Sequence, residues 1–463
     1  MKKLALLGVL AVILFLGCPG SEITTITVTP AADTTGIGLT AQFTATAYDA
    51  DGGVISDVTF TWSSSSTATA TVDDDGLATG VATGSCTITA ASGDIEGTAA
   101  LVVTSGPTHH SGSITADETW SPTANPHIID DDISVENNAT LTILPGCIVK
   151  FEPQTELYAG WTSAGAIIAN GTSALPIIFT SNVSTPAAGD YDGISLYGLT
   201  ISTSSFEYCT IEYAGYQATQ GAFYVYSFLH AKINNSAIRY SGNTGVVVNS
   251  ASAFDSFTGN TVANCSGYAV DIYPDYLRTM GTGNTYTSNN PNAIFVQGGS
   301  VTATGTWVNP GVPYVVADDI SIGNNANNPV LTIAPGTTLK FQNYVEFYVG
   351  WSEPGGLVAD GSTGRITFTS YVSTPSPGDW DGVSFYDNSI NGQCTFRDCN
   401  VRYGGYSGYG NIYIADCLPV IEGDSIGFSS AYGIYESGSQ YPDRDSLLAH
   451  NTFHNNTSGS IYP

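Results

Sequence analysis

The chain has 463 residues, with 52 Gly, 27 Tyr and 2 Met, and its 40 acidic residues outnumber 11 Lys and Arg to leave a net charge of −29. This length leaves room for two or more domains, and the composition suits strands and turns better than helices. So few cations cannot neutralise a phosphate backbone or an anionic lipid surface, which excludes nucleic acid as a partner.

Met1-Lys2-Lys3 and the apolar run at 4–17 have the charged and hydrophobic regions of a secretory signal, and the run is too short to span a bilayer comfortably. It ends in Phe15-Leu16-Gly17-Cys18, which resembles a bacterial lipobox with Phe15 at the place usually held by Leu. The resemblance implies removal of residues 1–17 and acylation of Cys18 with more than one chain. The product is expected to be exported and lipid-anchored at the outer membrane or cell surface, with 18–22 as the anchor's linker. The seven other cysteines (Cys86, Cys147, Cys209, Cys265, Cys394, Cys399 and Cys417) show no CxxC spacing. They read as buried apolar thiols rather than as a zinc site, and an oxidising compartment would allow one disulfide.

Residues 23–104 read as short alternating strands broken by Gly and Asp turns. Gln42-Phe43-Thr44-Ala45-Thr46-Ala47-Tyr48 places Phe43, Ala45 and Ala47 on one face, and Thr59-Phe60-Thr61-Trp62 does the same with Phe60 and Trp62. Ile26-Thr27-Val28-Thr29-Pro30, Trp62-Ser63-Ser64, Ala70-Thr71-Val72-Asp73 and Gly76-Leu77-Ala78-Thr79-Gly80, in this order, resemble the bacterial immunoglobulin-like domain of group 2. That resemblance implies a β-sandwich used as a spacer or adhesive module. Asp49 with Asp51, and Asp73 with Asp75, are the candidate metal ligands, since hard cations take clustered carboxylates; the competing reading is that Asp and Gly are there to make turns. No cofactor is required, and calcium is the one ion this pattern suits.

A linker is expected at 105–112. From there the chain says one thing twice, at 113–299 and 300–463. Trp120 returns as Trp307, Asp131-Asp132-Ile133-Ser134 as Asp318-Asp319-Ile320-Ser321, Tyr158-Ala159-Gly160-Trp161 as Tyr348-Val349-Gly350-Trp351, and Gly189-Asp190-Tyr191-Asp192-Gly193 as Gly378-Asp379-Trp380-Asp381-Gly382. Helical periodicity is absent. Within the first copy a finer step of 24 carries Gly259-Asn260-Thr261 to Gly283-Asn284-Thr285, the length of one coil of a stacked β architecture. The segments 141–151, 165–172, 177–181 and 189–194, with their counterparts 331–341, 355–362, 366–370 and 378–383, resemble right-handed parallel β-helix proteins of the pectate-lyase-like superfamily. The fold expected is therefore all-β: an Ig-like β-sandwich followed by a duplicated right-handed parallel β-helix.

Such a fold does not fix an activity. A lyase would need a basic residue opposite a substrate proton, for which Arg239, Arg278, Arg397 and Arg402 are candidates; a hydrolase would need clustered aspartates, for which Asp130-Asp131-Asp132 and Asp318-Asp319 are candidates. Duplication assigns the aspartates to the scaffold, at coil corners. Recurrent aromatics offer the better lead, because flat rings at regular intervals stack on sugar rings. Tyr158, Trp161, Trp351, Trp380, Tyr406 and Tyr409 are the candidate carbohydrate-binding residues, weighed against packing of the same rings inside the coils. The expected function is non-catalytic: a lipid-anchored protein presenting a rigid β-helix to a polysaccharide or cell-surface glycan. An enzyme acting on acidic polysaccharide is the runner-up, and a purely structural stalk the third reading. The last coil shows no evident polar cap, and an uncovered coil edge leads us to expect end-to-end self-association.

Overall fold

A computed structural model describes residues 22–249 and 251–462, so the signal segment and Cys18 lie outside the described residues. The chain divides into two compact units, Met1–Gly106 and Pro107–Pro463.

The first unit is a β-sandwich. Thr25–Thr29 pairs antiparallel with Thr44–Tyr48, and Ala32–Gly36 pairs parallel with the long strand Ile95–Thr104, itself in a hairpin with Gly84–Ser92. Phe43, Ala70, Ala78, Ile88, Ala90, Leu101 and Val103 are fully buried between the layers. Ala47 joins them, whereas Ala45, Phe60 and Trp62 pack against this core from its margin. Short alternating strands that point small apolar side chains inward produce this arrangement, because successive residues face opposite sides.

The second unit is a parallel β-helix with three sheets per coil. In the first copy, sheet A contains Ile148–Phe151, Ile177–Ser181, Cys209–Glu212, Ala237–Arg239, Thr261–Ala263 and Thr285–Thr287. Sheet B contains Glu156–Ala159, Gly193–Leu196, Phe223–Tyr226, Val246–Asn249, Val270–Ile272 and Ile294–Val296. Sheet C runs from Glu118–Trp120 to Phe254–Thr258. The coil begins earlier than the expected linker allowed, since Thr108–Ile114 already pairs in parallel with His127–Val135. Inside, like side chains stack in vertical rows: Val135, Ala159, Leu196, Val225, Val248 and Ile272 lie one above another and are fully buried.

That row does not stop at the end of the first copy. Ile272 continues to Val296, Val316 and Phe341, so both copies form one stack. Phe341, however, belongs to sheet A of the second copy, as the counterpart of Phe151. Sheet B of the first copy thus becomes sheet A of the second, whereas sheet C keeps its face, because Gly305–Trp307 packs on the short helix Leu277–Thr279, which packs in turn on Phe254–Thr258. Consistently, the new sheet B starts with Gly299–Val301 against the turn after Val270–Ile272, where Thr302 N–H donates to Asp275 Oδ1 (2.8 Å). The shift is made in one coil: Val270 to Ile294 takes 24 residues, whereas Ile294 to Tyr314 takes 20.

The corners are held by an asparagine ladder. Ser236 N–H donates to Asn260 Oδ1 (3.0 Å) and Asn260 N–H donates to Asn284 Oδ1 (3.0 Å). Each amide group then donates downward, Asn260 Nδ2 to the Ile233 carbonyl (2.8 Å) and Asn284 Nδ2 to that of Phe257 (2.9 Å). The turn after sheet B needs glycine in both copies, for Gly160 and Gly350 have φ of +76° and +68° and lie against the backbone of Thr200 and Ser389. A helix, Arg444–His450, takes the place of the last sheet C strand. Asp443 caps it by accepting from Ser446 N–H (2.9 Å), and Leu447 is buried beneath it.

Candidate functional site

In the second copy, sheet B is Gly299–Val301, Ile320–Ile322, Glu346–Val349, Gly382–Phe385, Gly410–Ala415, Tyr432–Ser437 and Gly459–Ile461. Its outward row runs Ser300, Ser321, Tyr348, Ser384, Tyr413, Tyr435. The first copy shows the same order on its own sheet B: Ser113, Ser134, Tyr158, Ser195, Tyr224. Beyond that the copies differ. The first continues with Val247 and Asp271, whereas in the second Tyr435 stacks on Tyr462 with ring centroids 4.0 Å apart. Parallel strands hold successive positions of the row about 4.8 Å apart along the stack.

Corner residues widen this row. On the leading corner Tyr344 packs against Tyr406 (4.2 Å), and Tyr409 reaches both Tyr413 (4.7 Å) and Tyr435 (5.2 Å). On the trailing corner Trp351 lies edge-on to Tyr386 (4.5 Å), as Trp161 does to Tyr197 (4.7 Å). Trp351 is 59 % exposed, Trp161 58 %, Tyr406 55 % and Tyr409 46 %. Tyr344, equally exposed, stands where the first copy has Gln154, and the first copy has no ring in the place of Tyr409. The added rings Tyr344, Tyr409, Tyr435 and Tyr462 distinguish the second copy from the first.

Two candidates need correction or qualification. Trp380 is fully buried: its ring stacks on Phe341 (4.1 Å, 6° between planes) and its Nε1–H donates to the Arg402 carbonyl (2.8 Å). It packs the interior, as Tyr191 does against Phe151 (4.1 Å), and presents nothing to a ligand. Tyr158 is half-buried against Tyr197, Tyr224 and Val247.

Carboxylates lie under the ring row. Tyr386 O–H donates to Glu346 Oε1 (2.9 Å), and Glu346 N–H donates to Asp319 Oδ1 (2.7 Å). Glu346, Asp381, Ser384, Tyr386, Tyr409 and Tyr413 enclose a cavity of about 50 Å³. Burial raises the Glu346 carboxyl above the usual range. In the first copy burial lifts Glu156 to about 7, against the hydrogen bond it accepts from Ser195 and helped by Asp192 and Asp132. Asp132 Oδ1 accepts from Glu156 N–H (2.9 Å), so the repeated aspartates fasten one coil to the next at a corner.

Three of the four candidate arginines are occupied in ion pairs, and Arg402 forms none among the described residues. Arg239 meets Glu212 (2.8 Å), Arg397 bridges Asp360 (3.0 Å) and Glu422 (2.5 Å), and Arg278 faces Asp275 (3.9 Å). In the sandwich, Asp49 Oδ1 accepts from Asp51 N–H (3.0 Å) and Gly53 N–H (2.8 Å), while Asp73 Oδ1 accepts from Asp75 N–H (3.0 Å) and Leu77 N–H (2.9 Å). These carboxylates close turns. Among the described residues, no group of three or more His, Cys, Asp or Glu side chains is placed to hold a metal ion.

The seven described cysteines are all buried and unpaired. Burial pushes the Cys147, Cys209 and Cys417 thiols up to about 12 and Cys265 to about 11, and Cys209 Sγ–H donates to the Ala169 carbonyl (3.1 Å). Only the thiolate is a nucleophile. A colourless-to-coloured thiol reagent at pH 8 should therefore find none of these seven in the folded protein and all of them after denaturation; rapid labelling without unfolding would contradict the burial.

Comparison with known proteins agrees with this division. Residues 22–103 match the family model "Bacterial Ig-like domain (group 2)" and residues 112–269 match "Pectate-lyase like beta helix domain". An 83-residue segment is 42% identical to "Ice-binding protein 1" of Shewanella frigidimarina (strain NCIMB 400); it covers 18% of this chain and 9% of that protein. Among solved structures, domains 4 and 5 of the S-layer protein SbsC are 30% identical over 18% of this chain and 53% of theirs, with a TM-score of 0.17. Domains 5–6 of the same protein are 28% identical over 23% of this chain and 59% of theirs, with a TM-score of 0.18. The chain is thus an Ig-like β-sandwich, similar over residues 22–103 to bacterial Ig-like domains of group 2, followed by a parallel β-helix similar over residues 112–269 to pectate-lyase-like β-helix domains.

Proposed function

We propose that the second β-helix copy binds polysaccharide along its outer sheet B, without catalysis, and that the protein does so at the cell surface, held by lipid on Cys18. The observation that carries this reading is the run of outward rings Tyr348, Tyr413, Tyr435 and Tyr462, flanked by exposed Trp351 and Tyr409 and present only in part in the first copy. Rigid aromatic rings bury large area at little entropic cost, and a sheet fixes their spacing before a ligand arrives. Hydroxyls of Ser384 and Tyr386, and the Glu346 and Asp381 carboxylates beneath, supply donors and acceptors for sugar hydroxyls.

A panel of insoluble polysaccharides tests the reading. Trp351→Ala and Tyr409→Ala should each weaken retention by about tenfold or more while leaving the melting temperature unchanged, because these rings carry contact area without supporting the core. Retention unaffected by both changes would refute it. Release of unsaturated or reducing sugar with sustained turnover would refute the non-catalytic part and favour the enzyme reading.

A further inference from the structure

The inward row of the same sheet B ends unexpectedly. Val301, Ile322, Val349, Phe385 and Ile414 stack in sequence, and the next position is Glu436. A carboxylate at the end of an apolar row is expensive unless something pairs with it. Glu436 is 8 % exposed, and its buried Oε1 has no hydrogen-bond partner among the described residues. Burial raises its carboxyl above the usual range; Arg444 opposes that rise and Asp443 adds to it. Arg444 is itself committed, donating from Nη1 to the Tyr462 carbonyl (3.0 Å) and from Nη2 to that of Ile461 (3.1 Å).

Glu436 lines a groove of about 870 Å³ together with Tyr435, Tyr441, Asp443, Arg444 and Tyr462. Its walls combine three tyrosines with polar groups, two carboxylates face one guanidinium that is already engaged, and the whole chain is acidic. Ring faces and an unsatisfied carboxylate both attract an ammonium, and the volume admits one or two sugar rings. We infer that this groove receives a hexosamine bearing a free amine, its ammonium against the Glu436 carboxylate and its pyranose face against the tyrosines. The inference rests on the glycan reading above and names the sugar that would occupy the C-terminal end of the ring row.

Calorimetry on the full chain at pH 6 compares three probes: the β-1,4 dimer of glucosamine, its fully N-acetylated counterpart, and lysine amide, which offers an amine without a ring. The glucosamine dimer should bind, and the other two should bind at least about tenfold more weakly, as expected for loss of a charge-assisted hydrogen bond or of the stacking surface. Glu436→Gln should cost a similar factor for the dimer. Tyr441→Ala, at a half-exposed ring outside the core, should also weaken the dimer with an unchanged melting temperature. Equal binding of the acetylated dimer or of lysine amide, unchanged binding by Glu436→Gln, or no binding of the glucosamine dimer to the native chain would each overturn the inference. Trp351→Ala separates the two claims: it should weaken polymer retention by about tenfold or more yet leave the dimer's affinity intact. Polymer retention without any preference for the free amine would sink the groove assignment alone.

Discussion

Replacing Asp424 by Asn should make the protein more stable, and more so at pH 8 than at pH 4.5. Asp424 occupies a rung of the corner ladder that asparagine fills elsewhere. Its Oδ1 accepts from Cys399 N–H (2.6 Å), and its own N–H donates to Asn451 Oδ1 (3.0 Å). On the neighbouring rungs the second side-chain atom is an NH₂ that donates to a carbonyl below, as Asn451 Nδ2 does to Ile421 (3.0 Å). Asp424 Oδ2 is buried there without a partner. An acceptor in a donor's seat is tolerated only if it carries a proton, and burial accordingly pushes the carboxyl up to about 8, with Asp398 adding to the rise and Arg365 opposing it. In the unfolded chain the same group ionises near pH ~4. The folded state therefore binds one proton more between these limits, so stability falls as pH rises from about 4 to about 8 and then levels off. Asparagine removes this dependence and donates the missing hydrogen bond, a gain of about 1–3 kcal/mol near pH 8. Thermal melts of both proteins at the two pH values decide it: an Asn variant that melts at or below the native protein at pH 8 would rule out the protonated rung.

Trp380→Ala should destabilise the protein by about 3–5 kcal/mol, the range for removing a large aromatic from a packed interior. The indole stacks on Phe341, which in turn stacks on Phe368 (6.3 Å), and its N–H satisfies the Arg402 carbonyl. Truncation would open a void between coils and orphan that carbonyl together. Trp351→Ala removes the same side chain from an exposed corner and should stay within about 0.5 kcal/mol of the native value. Urea unfolding followed by intrinsic fluorescence measures both. Equal losses for the two variants would mean that the corner ring is structural and would remove the basis for assigning it to a ligand.

This contrast marks how far the amino-acid order could be read. Repetition revealed the coil: Trp120 and Trp307 lie at matching positions, both buried, and the 24-residue step from Asn260 to Asn284 is the ladder itself. Trp351 and Trp380 are indistinguishable by the same logic, since both follow a turn and both recur as aromatics. Which one turns inward depends on where the strand resumes, two residues later at Gly382 for Trp380, and pattern alone does not reveal that. Tyr344 is illegible for the opposite reason, because repetition carries no signal at a position where the copies disagree, Gln154 in one and Tyr344 in the other. The helix Arg444–His450 is seven residues long and too short for a periodic signal; Asp443 three places before Ser446 was its only mark. The face shift at the join was masked because the copies align with a nearly constant displacement, which conceals one coil four residues shorter than its predecessor.

That short coil has a consequence for how such a chain can grow. Were copies appended without it, each would repeat its decoration on the same side, giving a plank with one sticky edge. The join instead starts the second sheet B over the turn beside the first, so the two aromatic tracks are offset across the rod. A third copy joined in the same way would offset its track again, so lengthening the gene would alter the directions of contact as well as the reach.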